Sequence, residues 1–149
     1  MTIGPTVAGG LKLIPEEDQD WLVLLEIAKD GDGRLSRRLA GLMDEESMWN
    51  EIVVPELEED FSKQRLEVVM AVMKAKGEGE DIHIDQESAE AWYGALNQAR
   101  LELESEFQFG QREEIDPDEI KDDAARAAFY RSDFYTAVQS LLLRYVMSD

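Results

Sequence analysis

The stretch AEAWYGALNQARLELESEF, residues 89–107, decides the fold class. Ala89, Trp92, Leu96, Ala99, Leu103 and Phe107 recur at spacings of three and four, which sets all six on one stripe of a helix. Asp85 stands where an N-cap belongs, so this helix is expected from about residue 86 to 108. Just before it, Ile82, His83 and Ile84 alternate as a short strand does. Leu11, Lys12 and Leu13 alternate in the same way within TVAGGLKLI, residues 6–14, where Gly9 and Gly10 interrupt any helix. Leu11, Leu13 and Trp21 therefore stand to one another as Ile82, Ile84 and Trp92 do, strand before helix. The likeness ends there, which favours two short strands paired in a ribbon over a duplication.

The remaining segments read as helices. Pro15 and the acids Glu16, Glu17, Asp18 and Asp20 suit a first turn, so a helix is expected over about 15–29 with Trp21, Leu24, Leu25 and Ala28 inward. It stops at DGDG. Arg34 to Met43 predicts a short helix around Leu35, Leu39, Leu42 and Met43, and 44–54 adds a turn or more around Met48, Trp49 and Ile52. Pro55 resets the chain. Residues 56–76 then predict a long helix with Leu57, Phe61, Val68, Val69 and Val72 inward, Lys74 and Lys76 in its last turn and Gly77 beyond. After the polar connection 110–118, a last helix is expected over about 119–147 with Tyr130, Phe134, Ala137, Val138, Leu141 and Tyr145 on its stripe, widened by Leu142 and Val146. The expected fold is mainly α, a single domain over 1–149. It is a helical bundle of four to six helices with a minor two-stranded β-ribbon from the N-terminus and residues 82–84.

At 149 residues with 44% hydrophobic and 33% charged, the chain has material for one real core. The longest apolar run, Trp21 to Leu25, is far short of the roughly 20 residues of a membrane span. Asp plus Glu number 34 against 15 Lys plus Arg, a net charge of −19 that repels nucleic-acid phosphates and anionic lipids. The densest basic group, Arg34, Arg37 and Arg38, sits among Asp30, Asp32 and Asp44 with no aromatic neighbours to stack on bases. With no Cys, disulfides and thiolate sites are excluded; MTIGPTVAGG has no basic or apolar leader region, and a cytoplasmic location is expected.

Few motifs carry chemistry. KDGDGRLS, residues 29–36, imitates the middle of a calcium loop but has Ala28 and Leu39 where the first and last ligands belong, so it reads as a helix-ending turn. Glu87 with Glu90 and Glu119 with Asp122 match the ExxE and ExxD pairs that hold magnesium in an all-α nucleotide phosphohydrolase. With 20 Glu and 14 Asp, roughly three ExxE and two ExxD arise by chance, so solvated acidic faces explain them as well. His83 is the only histidine, which excludes a two-His zinc site within one chain, and no GxSxG elbow is present. Tyr93, Asn97, Arg100 and Glu104 share one flank of the central helix. Asn97 and Arg100 are candidates for recognising a ligand, and equally for clamping a neighbouring element at the edge of the core.

AWYGALNQARLEL, residues 91–103, resembles the bacterial family known as domain of unknown function two thousand and seventeen, in its Ala-Trp, Leu-Asn and Arg-Leu pairs. Trp92, Leu96, Asn97, Arg100, Leu101 and Leu103 match that pattern, and Tyr135, Thr136, Gln139 and Leu142 resemble the family's last helix, with Phe134 or Tyr135 in place of a Trp. The resemblance extends from Leu11 onward, with Glu104 where a Gly is expected and Phe107 and Phe109 replacing smaller aliphatics. It implies no activity, but it implies a link with Clp-type proteolysis, since such genes tend to lie beside that of the Clp adaptor for N-degron substrates. Gln139 thereby joins Tyr93, Asn97 and Arg100 as a candidate ligand or partner contact. The function expected is a non-enzymatic, acidic interaction or regulatory module that docks a basic patch on a protein partner, with the magnesium-dependent phosphohydrolase as the alternative. A homodimer through Trp49, Ile52, Val53 and Val54 is a further option; no cofactor, nucleic acid or membrane is expected.

Overall fold

The computed structural model describes residues 1–32, 47–110 and 115–148, with the backbone alone for 47–54. The helix expected at 34–43 and the side chains of Trp49, Ile52, Val53 and Val54 lie outside the described residues. Within them the chain runs β1 (Thr2–Pro5), β2 (Leu11–Ile14), α1 (Asp18–Gly31), α2 (Ser47–Glu78), β3 (Ile82–Ile84), α3 (Gln86–Phe107), a 3-10 turn (Pro117–Glu119) and α4 (Asp123–Tyr145). The fold is mainly helical with a small antiparallel sheet at the N-terminus.

The ribbon expected between residues 11–13 and 82–84 is present, with Leu11 opposite Ile84 and Leu13 opposite Ile82. It is extended by β1 into a three-stranded sheet of order β1-β2-β3, with Ile3 opposite Leu13. β1 carries Gly4 and Pro5, which disguise a strand, and Pro5 is tolerated because β1 lies on an edge. Alternation decides the faces: Leu11, Leu13, Ile82 and Ile84 are buried, whereas His83 is exposed and Lys12 reaches Asp81 at 3.4 Å. Gly10 is required where β2 begins, since a Cβ there would stand 2.7 Å from the Ile84 carbonyl oxygen.

α3 sits at the centre, packed against α1, α2 and α4. Asp85 caps it: its Oδ1 accepts from the Ser88 backbone N–H at 2.9 Å, and Ser88 Oγ accepts from the Asp85 N–H at 3.1 Å. The Ser88 N–H and, after it, the Ser88 hydroxyl, both donating to Oδ1, hold the Asp85 carboxyl below its ordinary value. The expected stripe is buried, with Ala89, Trp92, Leu96, Ala99 and Leu103 in the core and Phe107 at its margin. Ala91, Ala95 and Gln98 are buried too, because neighbours cover more than one face of the helix. Val68, Val72 and Ala75 of α2 and Leu24 and Ile27 of α1 close the core.

Two readings, one of a boundary and one of a helix face, are corrected. Pro55 does not reset the chain: α2 runs through it from Ser47 to Glu78, leaving the Glu51 carbonyl without its usual N–H partner. α4 is rotated relative to the expected stripe, since Ala128, Phe129, Ser132, Tyr135, Val138, Gln139 and Leu142 are buried while Tyr130 and Tyr145 are exposed. A stripe drawn by hydrophobicity omits Ser132 and Gln139, both buried, and Gln139 meets Arg100 and the Tyr93 carbonyl there.

Candidate functional site

α4 presents two different faces to its surroundings, and each carries a polar cluster. On the first, α1 and α4 border an open groove of about 750 Å³, within the range of small-molecule sites. Leu22 and Tyr130, 54% and 52% exposed, form its walls, with Val23, Ala127 and Phe134 adding apolar surface. Its rim carries Asp20, Glu26 and Lys29. Asp20 is held below its ordinary value chiefly by the backbone N–H of Glu16, with that of Glu17 adding to it, at 2.8 and 3.1 Å.

Asp30 closes one end of the groove. Its side chain, 8% exposed, accepts from Arg131 Nε at 2.8 Å and Nη2 at 3.2 Å, and from the Tyr135 hydroxyl at 2.5 Å. This is a two-pronged arginine–carboxylate contact with a third donor on the same carboxylate. Burial pushes the Tyr135 hydroxyl far above its ordinary value, and the Asp30 charge and hydrogen bond push it further. Burial acts against the Arg131 charge, but the bond to Asp30 and its negative charge outweigh it and keep the guanidinium protonated. The cluster is thus an internally satisfied latch between the end of α1 and the middle of α4.

The second face carries the residues singled out in the sequence. Arg100 donates from Nε to Gln139 Oε1 at 3.0 Å and from Nη2 to Asn97 Oδ1 at 2.9 Å. Gln139, buried at 5% exposure, donates from Nε2 to the Tyr93 carbonyl at 3.4 Å and to Asn97 Oδ1 at 3.5 Å. All four residues therefore meet along the α3–α4 seam, Tyr93 through its backbone. Glu104, on the same flank, instead accepts from the Gly110 N–H at 3.1 Å.

A third cluster escaped sequence reading. Gln98, almost fully buried, accepts from Arg65 Nη1 at 2.7 Å and donates to Gln64 Oε1 at 2.8 Å and the Phe61 carbonyl at 3.4 Å. Arg65 also donates to the Gly31 carbonyl at 3.3 Å and approaches Asp32 at 3.7 Å, joining the end of α1 to α2 and α3. Gly94 belongs to this crossing, since a Cβ there would fall 2.3 Å from Gln64 Oε1.

The acid pairs are not brought together. Glu87, Glu90, Glu119 and Asp122 are all exposed. Phe109 packs on Phe129 while Arg100 reaches Gln139, so α3 and α4 run antiparallel. Glu87 and Glu90 lie at the opposite end of α3 from the segment holding Glu119 and Asp122, about 25 Å away by helical rise. Among the described residues no group of three or more His, Cys, Asp or Glu side chains is placed to hold a metal ion.

A helical bundle with a small antiparallel sheet, bearing a groove on one face of its last helix and a polar seam on another, defines the structural class. The family model described as Domain of unknown function (DUF2017) matches residues 32–146, and the chain belongs to that family. The match holds the whole seam and the α4 wall of the groove; β1, β2 and α1 precede it. No curated protein and no solved structure matches the chain. Among the described residues no helix is long and apolar enough to cross a membrane.

Proposed function

We propose that the protein is a non-enzymatic interaction module whose acidic surface draws in a basic partner and whose α1–α4 groove receives a segment of it. The observation that carries this reading is the groove itself: half-exposed Leu22 and Tyr130 face a cluster in which Asp30 already accepts three hydrogen bonds. A carboxylate so occupied and a tyrosine held neutral are poor bases and nucleophiles, so the groove suits holding rather than reacting. The net charge of −19 favours fast encounter with a cationic partner and a rate that falls with salt.

The resemblance that linked such chains to Clp-type proteolysis nominates the adaptor for N-degron substrates as the partner to test. Binding of purified adaptor to the immobilised protein is expected to slow between about 50 and 500 mM salt. It is expected to weaken in Leu22→Ser/Tyr130→Ser, whose changed side chains lie at the surface. No binding refutes the proteolytic link, and binding indifferent to both salt and the double substitution refutes the groove.

A further inference from the structure

Arg100 differs from the three other arginines among the described residues whose side chains hydrogen-bond to their neighbours. Arg65, Arg126 and Arg131 each approach a carboxylate, Asp32, Asp123 and Asp30 respectively. Arg100 instead rests on two neutral amide oxygens, Asn97 Oδ1 and Gln139 Oε1, and among the described residues no carboxylate pairs with it. A guanidinium carries five N–H donors; the seam uses one on Nε and one on Nη2, and both N–H groups of Nη1 have no acceptor among the described residues. The residue is only half-buried.

We propose that Arg100 is an oxyanion-binding residue, held in place by Asn97 and Gln139, that takes a carboxylate or phosphate group of a ligand through Nη1. Neutral amides are suited to the positioning role because they fix the guanidinium plane without neutralising it, which a carboxylate would do. Gln139 is itself oriented by the Tyr93 carbonyl, so the positioning extends one bond deeper. Glu104, one turn further along the same flank, accepts from the Gly110 N–H. The large net negative charge does not forbid the site, since at physiological salt charges more than about 8 Å away are largely screened. This site is separate from the α1–α4 groove and does not depend on the docking reading.

The test is an NMR titration of the isotope-labelled full chain with inorganic phosphate and, separately, acetate, with chloride adjusted to keep ionic strength constant. The Arg100 Nε–H and the Asn97 and Gln139 side-chain amides are expected to shift and saturate, while Arg126 and Arg144 do not. Arg100→Gln should lower the apparent affinity by about tenfold or more, as loss of a charge-assisted hydrogen bond does. Saturation by phosphate alone assigns a phosphate ligand, and saturation by acetate assigns a carboxylate. If Arg100→Gln does not fold, the wild-type shifts alone decide. Shifts that never saturate, that spread equally over all arginines, or that persist in a folded Arg100→Gln overturn the site.

Discussion

Replacing Asp30 with Ala tests whether the latch between α1 and α4 holds the fold together. The substitution removes three hydrogen bonds and leaves the Tyr135 hydroxyl without a partner in a residue of 0% exposure. An unsatisfied buried hydroxyl costs about 1–3 kcal/mol. The Arg131 side chain is 23% exposed and regains water, so its lost ion pair is discounted to about 1 kcal/mol. The expected destabilisation is about 2–4 kcal/mol, which for a chain of this length lowers Tm by roughly 5–15 °C. Tyr135→Phe keeps the ring and leaves Asp30 on Arg131, so it should cost about 1–2 kcal/mol. In the Asp30→Ala background the same change should restore about 1–3 kcal/mol, because it removes the buried hydroxyl that has lost its acceptor. Urea unfolding of the four proteins in a double-mutant cycle measures the coupling, expected at about 2–5 kcal/mol. A loss below about 0.5 kcal/mol for Asp30→Ala, or equal Tyr135→Phe effects in both backgrounds, would refute the latch as a source of stability.

The other expectations follow from single contacts. Gly10→Ala drives a Cβ against the Ile84 carbonyl and should destabilise by about 1–3 kcal/mol in urea, with chemical-shift changes centred on β2 and β3. Asp85→Ala should cost about 1 kcal/mol at neutral pH as an N-cap loss. Because the folded Asp85 carboxyl is held below its unfolded value, that contribution is present above about pH 4 and disappears as pH falls through the folded value, so the two urea midpoints should converge on acidification. Tyr135 has the opposite sign: its raised folded value leaves stability intact below about pH 10 and removes it above, where the unfolded chain alone loses the proton. Wild type should therefore lose stability faster than Tyr135→Phe between about pH 9 and 11, a comparison in which the other three tyrosines cancel.

The two polar clusters of α4 have different chemical characters. Asp30, Arg131 and Tyr135 satisfy one another and make a floor beside apolar walls, suited to a segment that buries side chains. Asn97, Arg100 and Gln139 leave positive charge unspent, suited to an anionic group. A ligand touching either face acts on the same helix, and Tyr135 and Gln139, four residues apart, connect both clusters to the core through one turn of α4.

Periodicity and local signals were enough for the helices around Trp92 and Val68, the Asp85 cap and the pairing of residues 11–13 with 82–84, because each is written in neighbouring residues. They were enough also to nominate Tyr93, Asn97, Arg100 and Gln139, three from a shared helix flank and one from family resemblance. They failed where the deciding partner is remote in sequence. Asp30 reads as part of a helix-ending turn until Arg131 and Tyr135, more than 100 residues later, arrive on its carboxylate. The same holds for Gln98, whose partners lie over 30 positions earlier, and for the rotation of α4, which buries Ser132 and Gln139 and leaves Tyr130 on a groove wall. Hydrophobic spacing states which residues prefer to leave water. Only three-dimensional packing supplies the polar partners that make burial of a charge or an amide affordable, and those partners, more than the apolar stripe, set the final rotation of each helix.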